Sequence, residues 1–322
     1  MKAIVVHQCG GPEQLHFQET AAPVAGPGQA LVRVTHAGVN FIDIYFRMGL
    51  YKADLPMILG MEAAGVVESV GEGVTEVAPG DRVAYAGPRG AYAEYAVTPA
   101  WQLVKIPAGV SGELAAAAML QGMTAHYLTH STFPLQQGHT CLVHAAAGGA
   151  GQCIVQMAKR RGARVIATVG TAAKAELARQ AGADEVILYE QVDFAAETRR
   201  LTDGKGVDVV YDSVGASTFL KSLDSLRPRG MMVTFGNASG PVPAVEPLLL
   251  NAKGSLFLTR PTLAHHIATR DELLWRAGDV LSWLASGDLK LHIHQTYPLA
   301  DARQAQEDLA ARRTTGKLLL AV

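Results

Sequence analysis

The sequence predicts an α/β protein in which a doubly wound parallel sheet domain is joined to a β-rich, barrel-like domain. Three observations support this: an apolar strand that runs into a small-residue turn, a regular alternation of strand-like and helix-like segments after it, and a first ~120 residues built of short β-rich segments. With 322 residues, 49% of them hydrophobic, the chain is long enough for two domains with separate cores. We predict a β-rich domain over 1–123 and 262–322, and a sheet domain over 124–261.

The first domain is predicted from short strands separated by Gly/Pro turns such as 25–28 and 78–81. Its predicted strands are Ala30–Val39, Ala63–Val70, Asp81–Tyr85 and Ala91–Val97. A helical stretch, Ser111–Ser131, then leads into the second domain, and its alanine run at 115–118 is typical of a close-packed helix.

Residues 140–151 combine an apolar strand with a turn of small residues, and the helix-like stretch Gln152–Arg161 follows directly. A dinucleotide pyrophosphate needs a tight turn, close backbone approach and unpaired N–H groups at a helix start, as in a Rossmann unit. Ala146 stands where the first glycine of G-x-G-x-x-G would be, so the turn alone is also compatible with a ligand-free helix start. The turn residues predicted to meet the cofactor are Ala147, Gly148, Gly149, Ala150 and Gly151.

The segments after this turn alternate as a parallel sheet with crossover helices requires. They are Arg164–Val169, Ala172–Ala181, Glu185–Tyr189, Phe194–Asp203, Val207–Asp212, Thr218–Leu226 and Met231–Phe235. Four glycines, Gly162, Gly182, Gly206 and Gly230, each stand shortly before a strand, which predicts helix C-terminal glycines.

The end of the second predicted strand indicates which cofactor is bound. An NAD-binding unit usually places an acid about 20 residues after the glycine turn, where it holds the ribose 2′-hydroxyl. Here the chain reads Gly-Thr-Ala-Ala-Lys over 170–174, which leaves room for a phosphate and supplies a cation at Lys174. We therefore expect NADPH rather than NADH, the alternative being that Lys174 is an ordinary solvated helix lysine.

Composition excludes several classes of protein. The net charge of −1 gives no electrostatic footprint for nucleic acid or an anionic membrane. No apolar run approaches the ~20 residues that span a bilayer, and residues 1–7 read as a short strand rather than a signal peptide, so we expect a cytoplasmic protein. The three cysteines, Cys9, Cys141 and Cys153, are scattered and are interpreted as packing residues.

The C-terminal tail after Pro261 contains two more helix-like segments, Asp271–Ser286 and Asp301–Arg313, and a final apolar strand, Lys317–Val322. We expect this tail to fold back on the first domain.

Six motifs occur in a fixed order: residues 37–43 (AGVNFID), 60–65 (GMEAAG), 79–83 (PGDRV), 121–125 (QGMTA), 145–151 (AAAGGAG) and 212–215 (DSVG). In this order they resemble the medium-chain dehydrogenase/reductase superfamily, and within it the zinc-independent quinone oxidoreductases related to zeta-crystallin. The resemblance covers essentially the whole chain. It implies a GroES-like catalytic domain, a Rossmann domain, NADPH and a quinone substrate.

Zinc-dependent members of that superfamily place a cysteine where Asn40 stands and a histidine where Met61 stands. Catalytic zinc needs three Cys, His or carboxylate ligands and one open position. Asn40 and Met61 do not supply two of these, and the remaining carboxylates, Asp43 and Glu62, make a poor zinc site. None of the eleven histidines forms an H-E-x-x-H pattern, so we expect a metal-free enzyme.

The resemblance also assigns residues to the nicotinamide and substrate: Asn40, Phe41, Asp43, Tyr45 and Tyr51, with Gln121, Thr124 and Tyr127 on a facing helix. Asn40 would orient the quinone oxygen or the cofactor carboxamide, and the tyrosines would stack or donate a hydrogen bond. Two alternatives stay open: the tyrosines pack between the domains, or Asp43 only holds Asn40 or Arg47 in place.

At the adenosine end the resemblance names Gly170, Thr171, Lys174 and Tyr189, with the Tyr189 ring covering the 2′-phosphate. The residues expected to line the cofactor cleft at strand ends are Ser213, Phe235, Gly236, Asn237, Phe257 and Thr259. Arg312 would reach the phosphate from the tail, or is a solvated helix arginine.

These observations predict an NADPH-dependent quinone reductase, since a quinone accepts hydride without a Lewis acid. Two other functions stay open: reduction of activated C=C bonds in enones or alkenals, and a non-catalytic, crystallin-like NADPH-binding role with RNA contact. We expect catalysis in a cleft between the two domains. We also expect a homodimer through the apolar strand at 254–261, because relatives pair along this edge.

Overall fold

The computed structural model describes all residues, 1–322, and divides them into two compact units: Met1–Met123 with His266–Val322, and Thr124–His265. The strands are β1 Lys2–Val6, β2 His16–Glu19, β3 Gln29–Val39, β4 Met57–Ile58, β5 Glu62–Val70, β6 Arg82–Ala86, β7 Tyr95–Pro99, β8 Val104–Lys105, β9 Thr140–Val143, β10 Arg164–Val169, β11 Glu185–Leu188, β12 Val207–Asp212, β13 Leu226–Thr234, β14 Phe257–Thr259, β15 Ile293–Pro298 and β16 Lys317–Ala321. The helices are α1 Phe41–Arg47, α2 Gly112–Tyr127, α3 Gly149–Arg160, α4 Ala172–Gln180, α5 Phe194–Leu201, α6 Phe219–Ser225, α7 Pro247–Ala252, α8 Arg270–Ser286 and α9 Ala302–Ala310.

The first unit is built on a sheet in the order β15-β16-β3-β5-β6-β8, with β7 also paired to β3, and on a small sheet in the order β2-β1-β4. β16 lies antiparallel to β3 and parallel to β15, so the C-terminal tail completes the sheet of the first domain, as expected. Apolar side chains such as Val32, Val83 and Leu320 are fully buried in its core.

The second unit holds one sheet of six strands in the order β11-β10-β9-β12-β13-β14, and every pair in it is parallel. The fold class predicted from sequence is confirmed. Strand β9 has β10 on one side and β12 on the other, so the strand order reverses there. In sheets of this type a ligand binds outside the carboxyl ends of the strands at that reversal.

Three sequence predictions differ from the structure in detail. Gly230 lies inside β13 and ends no helix, because this strand begins at Leu226, five residues earlier than predicted. The helix predicted to end at Ser131 is α2, which gives way at Leu128 to a five-residue π-helical turn. In the segment predicted as a strand over 91–97, residues 91–94 contribute only an isolated bridge and β7 begins later.

None of the nine helices is long and apolar enough to cross a membrane. None of the three cysteines forms a disulfide, and Cys141 and Cys153 are fully buried in the second unit.

Candidate active site

Asn40 lies between β3 and α1 and has every hydrogen-bonding position of its side chain occupied. Its Nδ2 donates to Glu62 Oε2 at 2.9 Å and to the Gly38 carbonyl at 3.3 Å. Its Oδ1 accepts from Lys317 Nζ at 2.7 Å and from Gln121 Nε2 at 3.3 Å. A carboxamide has two donors and two acceptor positions, so this side chain has none left for a ligand.

Lys317 and Glu62 form a buried ion pair with Nζ and Oε2 at 2.5 Å and side chains 2% and 0% exposed. The other carboxylate oxygen of Glu62 accepts from the Leu120 N–H at 2.5 Å. A buried pair needs further hydrogen bonds to offset its loss of water, and here Asn40 Oδ1 accepts one from Lys317 while Leu120 donates one to Glu62. A Cβ at Gly38 would stand 2.1 Å from Glu62 Oε2 and 2.9 Å from Lys317 Nζ, so only glycine fits beside the pair.

Asp43, in the first turn of α1, is fully buried. Its Oδ2 accepts from the Asn40 N–H at 2.9 Å and from the Tyr92 hydroxyl at 3.0 Å, while its Oδ1 has no partner. Burial raises the pKa of Asp43 to about 7, although these two hydrogen bonds act in the opposite direction. Asp43 therefore fixes the backbone at Asn40, one of the two roles left open from the sequence.

Arg47, at the end of α1, is also buried but does not bond Asp43. Its Nη1 donates to Gln306 Oε1 at 2.6 Å, and its Nε donates to the Gly10 carbonyl at 3.3 Å. The structure thus separates two roles that the sequence left together: Asp43 holds Asn40, and Gln306 on α9 holds Arg47.

An aromatic cluster lies along α1 and the turn after it. The Tyr45 and Tyr51 rings are 5.4 Å apart, edge to face, and Phe46 packs edge-on against Tyr51 at 5.6 Å. Phe41 lies 6.3 Å from Tyr45. Tyr45 is 8% exposed and Tyr51 is half-buried, so Tyr51 is the more accessible of the two tyrosines.

The residues around Asn40 do not fit a catalytic zinc. The polar groups at position 40 are saturated internally, and Met61 offers only a thioether. The Lys317 ammonium already lies against Asn40 Oδ1 and Glu62 Oε2, where it would repel a second cation. Nowhere in the chain do three or more His, Cys, Asp or Glu side chains form a group that could hold a metal.

The glycine turn of the second unit suits a dinucleotide. The N–H groups of residues 149–151 precede the first helical hydrogen bond of α3, from Gln152 N to Gly148 O at 2.9 Å, and no side chain caps them. A Cβ on Gly151 would stand 2.3 Å from the Ala145 carbonyl oxygen. The turn therefore requires glycine there and leaves a helix start open to an anion such as a pyrophosphate.

His144 directly follows β9 and is held in one neutral form. The Ser222 hydroxyl donates to the Thr218 carbonyl at 2.9 Å, so it accepts from His144 Nε2 at 2.9 Å. Nδ1 then accepts from the Thr168 hydroxyl at 2.8 Å. Burial lowers the pKa of His144, so the imidazole is neutral at pH 7 and links Thr168 of β10 to Ser222 of α6.

Beyond β10, the expected 2′-phosphate residues come together. Thr171 is the N-cap of α4 and accepts from the Lys174 N–H at 3.3 Å. A Cβ on Gly170 would stand 2.9 Å from the Tyr189 hydroxyl, so the tyrosine after β11 lies directly beside the end of β10. Glu190 Oε1 lies 3.2 Å from the same point, a carboxylate near this site that the sequence did not reveal.

Asp212 organises the loop after β12. Its Oδ1 accepts from the Val214 and Gly215 N–H groups at 2.7 and 3.1 Å, and its Oδ2 accepts from the Thr218 hydroxyl at 2.7 Å. This loop reaches the carboxyl edge of the sheet in a fixed conformation.

The next strand-end loop is packed against it. A Cβ on Gly236 would stand 2.3 Å from the Ser213 carbonyl oxygen, so these two loops touch through backbone. Arg260, just after β14, donates from Nη1 to the Gly236 carbonyl at 2.9 Å. With its amide oriented to satisfy both neighbours, Asn237 accepts from Arg260 Nη2 at 3.1 Å. Phe235 precedes this loop and is half-buried.

The remaining predicted residues lie as follows. Thr124 and Tyr127 belong to the second unit and are 9% and 2% exposed, whereas Gln121 belongs to the first unit and is half-buried. Phe257 is 58% exposed, and Thr259 is half-buried in the same edge strand. Arg312 follows α9 in the first unit and is exposed. The roles proposed for these side chains stay predictions.

Sequence reasoning missed the residues that hold the site together: Lys317, Gly38, Tyr92 and Gln306. Lys317 and Asn40 are 277 positions apart, and no local pattern joins them. One signal was present, because a lysine opening the strand Lys-Leu-Leu-Leu needs a buried partner if that strand is central.

Two family descriptions match the chain: an alcohol dehydrogenase GroES-like domain over residues 26–108 and a zinc-binding dehydrogenase over residues 149–275. A quinone oxidoreductase of Pseudomonas aeruginosa is 48% identical, with 97% of this chain and 96% of that protein covered. A 2-haloacrylate reductase of a Burkholderia species is 43% identical over 99% of this chain and 98% of that one.

A solved structure of Escherichia coli quinone oxidoreductase complexed with NADPH is 44% identical, covers all of both chains and superposes with a TM-score of 0.98. These likenesses extend over both units and agree with the parallel sheet of the second unit. The chain therefore belongs to the quinone oxidoreductases of the medium-chain dehydrogenase/reductase superfamily.

Proposed function

We propose that this enzyme reduces quinones with NADPH and without a metal ion. One observation carries the proposal: at position 40, where zinc-dependent relatives have a metal ligand, the side chain is an amide saturated by Glu62, Lys317 and Gln121. Without a Lewis acid at that position, the substrate itself must accept hydride readily. Quinones do so because the reduced ring is aromatic.

NADPH, when bound, supplies the hydride from its nicotinamide ring. The chain's part is to bind and orient. Residues 148–151 would hold the pyrophosphate at the start of α3, and Lys174 with Tyr189 would hold the 2′-phosphate beside Gly170. Support for the phosphorylated cofactor comes from residues 169–174, which hold no acid although Glu190 lies beside Gly170, and from NADPH in the solved relative.

Tyr51 and Gln121 are proposed to contact the substrate because both side chains are half-buried, and Tyr45 is proposed to support them because its ring packs edge to face on Tyr51. The Gln121 Nε2 is used by Asn40, but its Oε1 accepts no hydrogen bond in the structure. No residue of the first unit needs to act as an acid, because the reduced quinone oxygens take protons from water. Asn40 and Asp43 are assigned to positioning.

A second activity is supported by one observation, the 43% identity to a 2-haloacrylate reductase. That enzyme's name describes reduction of an activated C=C bond, which needs the same hydride donor and no metal.

The test is NADPH oxidation followed at 340 nm with a panel of quinones beside a panel of enones and 2-haloacrylates, each repeated with NADH. We expect the highest kcat/KM for quinones with NADPH. A kcat/KM for enones that exceeds the quinone values would replace the proposal with the second activity, and equal use of NADH would overturn the cofactor assignment.

We further propose that the first unit carries the substrate site and the second the NADPH site, and that two copies pair through β14. This strand is the edge of the six-stranded sheet, and it presents Phe257, 58% exposed. A cytoplasmic location is proposed as well, supported by three cysteines that form no disulfide.

A further inference from the structure

The hydrogen bonds around Asn40 have a fixed direction. An ammonium only donates and a carboxylate only accepts, so Lys317 must face an oxygen and Glu62 must face an N–H. The Asn40 amide lies between them with Oδ1 at 2.7 Å from Lys317 Nζ and Nδ2 at 2.9 Å from Glu62 Oε2. Turning this amide over would place its NH₂ against the ammonium and its oxygen against the carboxylate.

The donor and acceptor positions of Asn40 also fix the orientation of the Gln121 amide. Because Asn40 Oδ1 only accepts, the Gln121 atom 3.3 Å from it must be Nε2, which donates. The other end of the Gln121 amide is then its oxygen, Oε1, which has no hydrogen-bond partner in the structure. Gln121 is half-buried, so this oxygen belongs to a side chain that a ligand can reach.

We infer that Lys317 is a positioning residue that acts through Asn40 to make Gln121 present a hydrogen-bond acceptor to the bound ligand. The ligand group that Gln121 takes is accordingly an N–H or O–H donor, such as a carboxamide N–H or a hydroquinone hydroxyl. The Lys317 ammonium thus bonds the side chain at position 40, the position that supplies a metal ligand in zinc-dependent relatives. The inference rests on the proposed function for its kinetic consequence, but not for the geometry.

Three features show that the arrangement is built for this orientation. The pair is almost inaccessible to water, so the charges are screened little. Gly38 leaves the room that the pair occupies. The second oxygen of Glu62 is held by the Leu120 N–H, on the same helix as Gln121, so the carboxylate and Gln121 keep a fixed relation.

The kinetic test is a cycle of three variants: Glu62→Gln/Lys317→Met, Gln121→Met, and the two combined. We expect Gln121→Met to lower kcat/KM for quinone about threefold to tenfold, the value of one neutral hydrogen bond, and the pair variant to lower it similarly. If the Lys317–Glu62 pair acts only through Gln121 Oε1, the combined variant has a kcat/KM no lower than that of the slower of the two separate variants. Combined losses that multiply would overturn the inference.

Asn40→Leu repeats the cycle without disturbing the charges, since it interrupts the path in the middle and leaves Lys317 paired with Glu62. It too should add nothing to Gln121→Met. Arg303→Met is the matched control, because it removes a cation from an exposed pair with Glu307 on α9. This control should leave kcat/KM unchanged.

A readout without substrate separates the inference from the proposed function. The side-chain NH₂ signal of Gln121 in a ¹H–¹⁵N spectrum is identified by its loss in Gln121→Met. We expect it to shift in Asn40→Leu and in the pair variant, but not in Arg303→Met. A Gln121 signal that is unchanged in both Asn40→Leu and the pair variant would overturn the inference. A wild-type protein that reduces no quinone would contradict only the proposed function.

Discussion

Gly38→Ala is expected to destabilise the protein strongly although it adds only one methyl group. The new Cβ would lie 2.1 Å from Glu62 Oε2, whereas ordinary contacts begin near 3.4 Å, so an atom must move by more than 1 Å. The carboxylate cannot move without breaking its 2.5 Å contact with Lys317 or its 2.9 Å bond from Asn40. Breaking a buried pair costs about 3–5 kcal/mol.

The assay is urea-induced unfolding of Gly38→Ala beside wild type and beside Gly278→Ala. Gly278 lies inside α8, where an added Cβ meets nothing within 4 Å, so alanine there should stabilise by about 0.5–1 kcal/mol. Gly38 has an ordinary backbone conformation, so the loss of stability in Gly38→Ala comes from the steric clash and the disturbed ion pair and not from backbone strain. A Gly38→Ala protein within about 1 kcal/mol of wild type would refute the claim that the ion pair is rigid.

Four further outcomes are expected. Lys174→Ala should weaken NADPH binding by about 1.5–3 kcal/mol and NADH binding little, and equal losses would contradict the 2′-phosphate assignment. Gly151→Ala should abolish NADPH binding measured by fluorescence, because its Cβ would meet a carbonyl at 2.3 Å; unchanged binding would move the pyrophosphate elsewhere. The pKa of the Asp43 carboxyl is raised from 3.8 to about 7, so between these pH values the folded protein keeps the proton and the unfolded chain loses it. The contribution of Asp43 to the free energy of unfolding therefore falls by about 1.4 kcal/mol per pH unit over that window. Above pH 7 it no longer changes. The free-energy difference between wild type and Asp43→Asn should therefore fall from pH 5 to 7, and a difference that does not change with pH would show the pKa is not raised. Phe257→Glu should convert a dimer into a monomer in light scattering, and a wild-type monomer at micromolar concentration would contradict pairing through β14.

Much of the fold could be predicted because its signals are local. The alternation after residue 140 requires only that each apolar run be read as a strand and each Gly as a boundary. That logic failed at Gly230, since β13 begins before the glycine and continues through it. Local pattern cannot show where a neighbouring strand provides pairing partners.

The positioning residues were beyond prediction for a related reason. Lys317 and Glu62 are separated by 255 positions, and their contact exists only because β16 and β5 both pair with β3. The sequence identified Asn40 as the residue that replaces a zinc ligand. It could not show whether the Asn40 amide bonds a substrate or other side chains of the protein, because that depends on which groups surround the amide in the fold. Glu190 shows the same limit, since its approach to Gly170 depends on the pairing of β10 with β11.

The central claim is that hydride transfer from NADPH to a quinone needs no metal in this enzyme. The most direct measurement is quinone-dependent NADPH oxidation by protein whose zinc content has been determined by elemental analysis, before and after chelator treatment. The account predicts full turnover from protein holding far less than one zinc per chain, with no loss after chelation. Turnover that rises in proportion to bound zinc and disappears on its removal would contradict it.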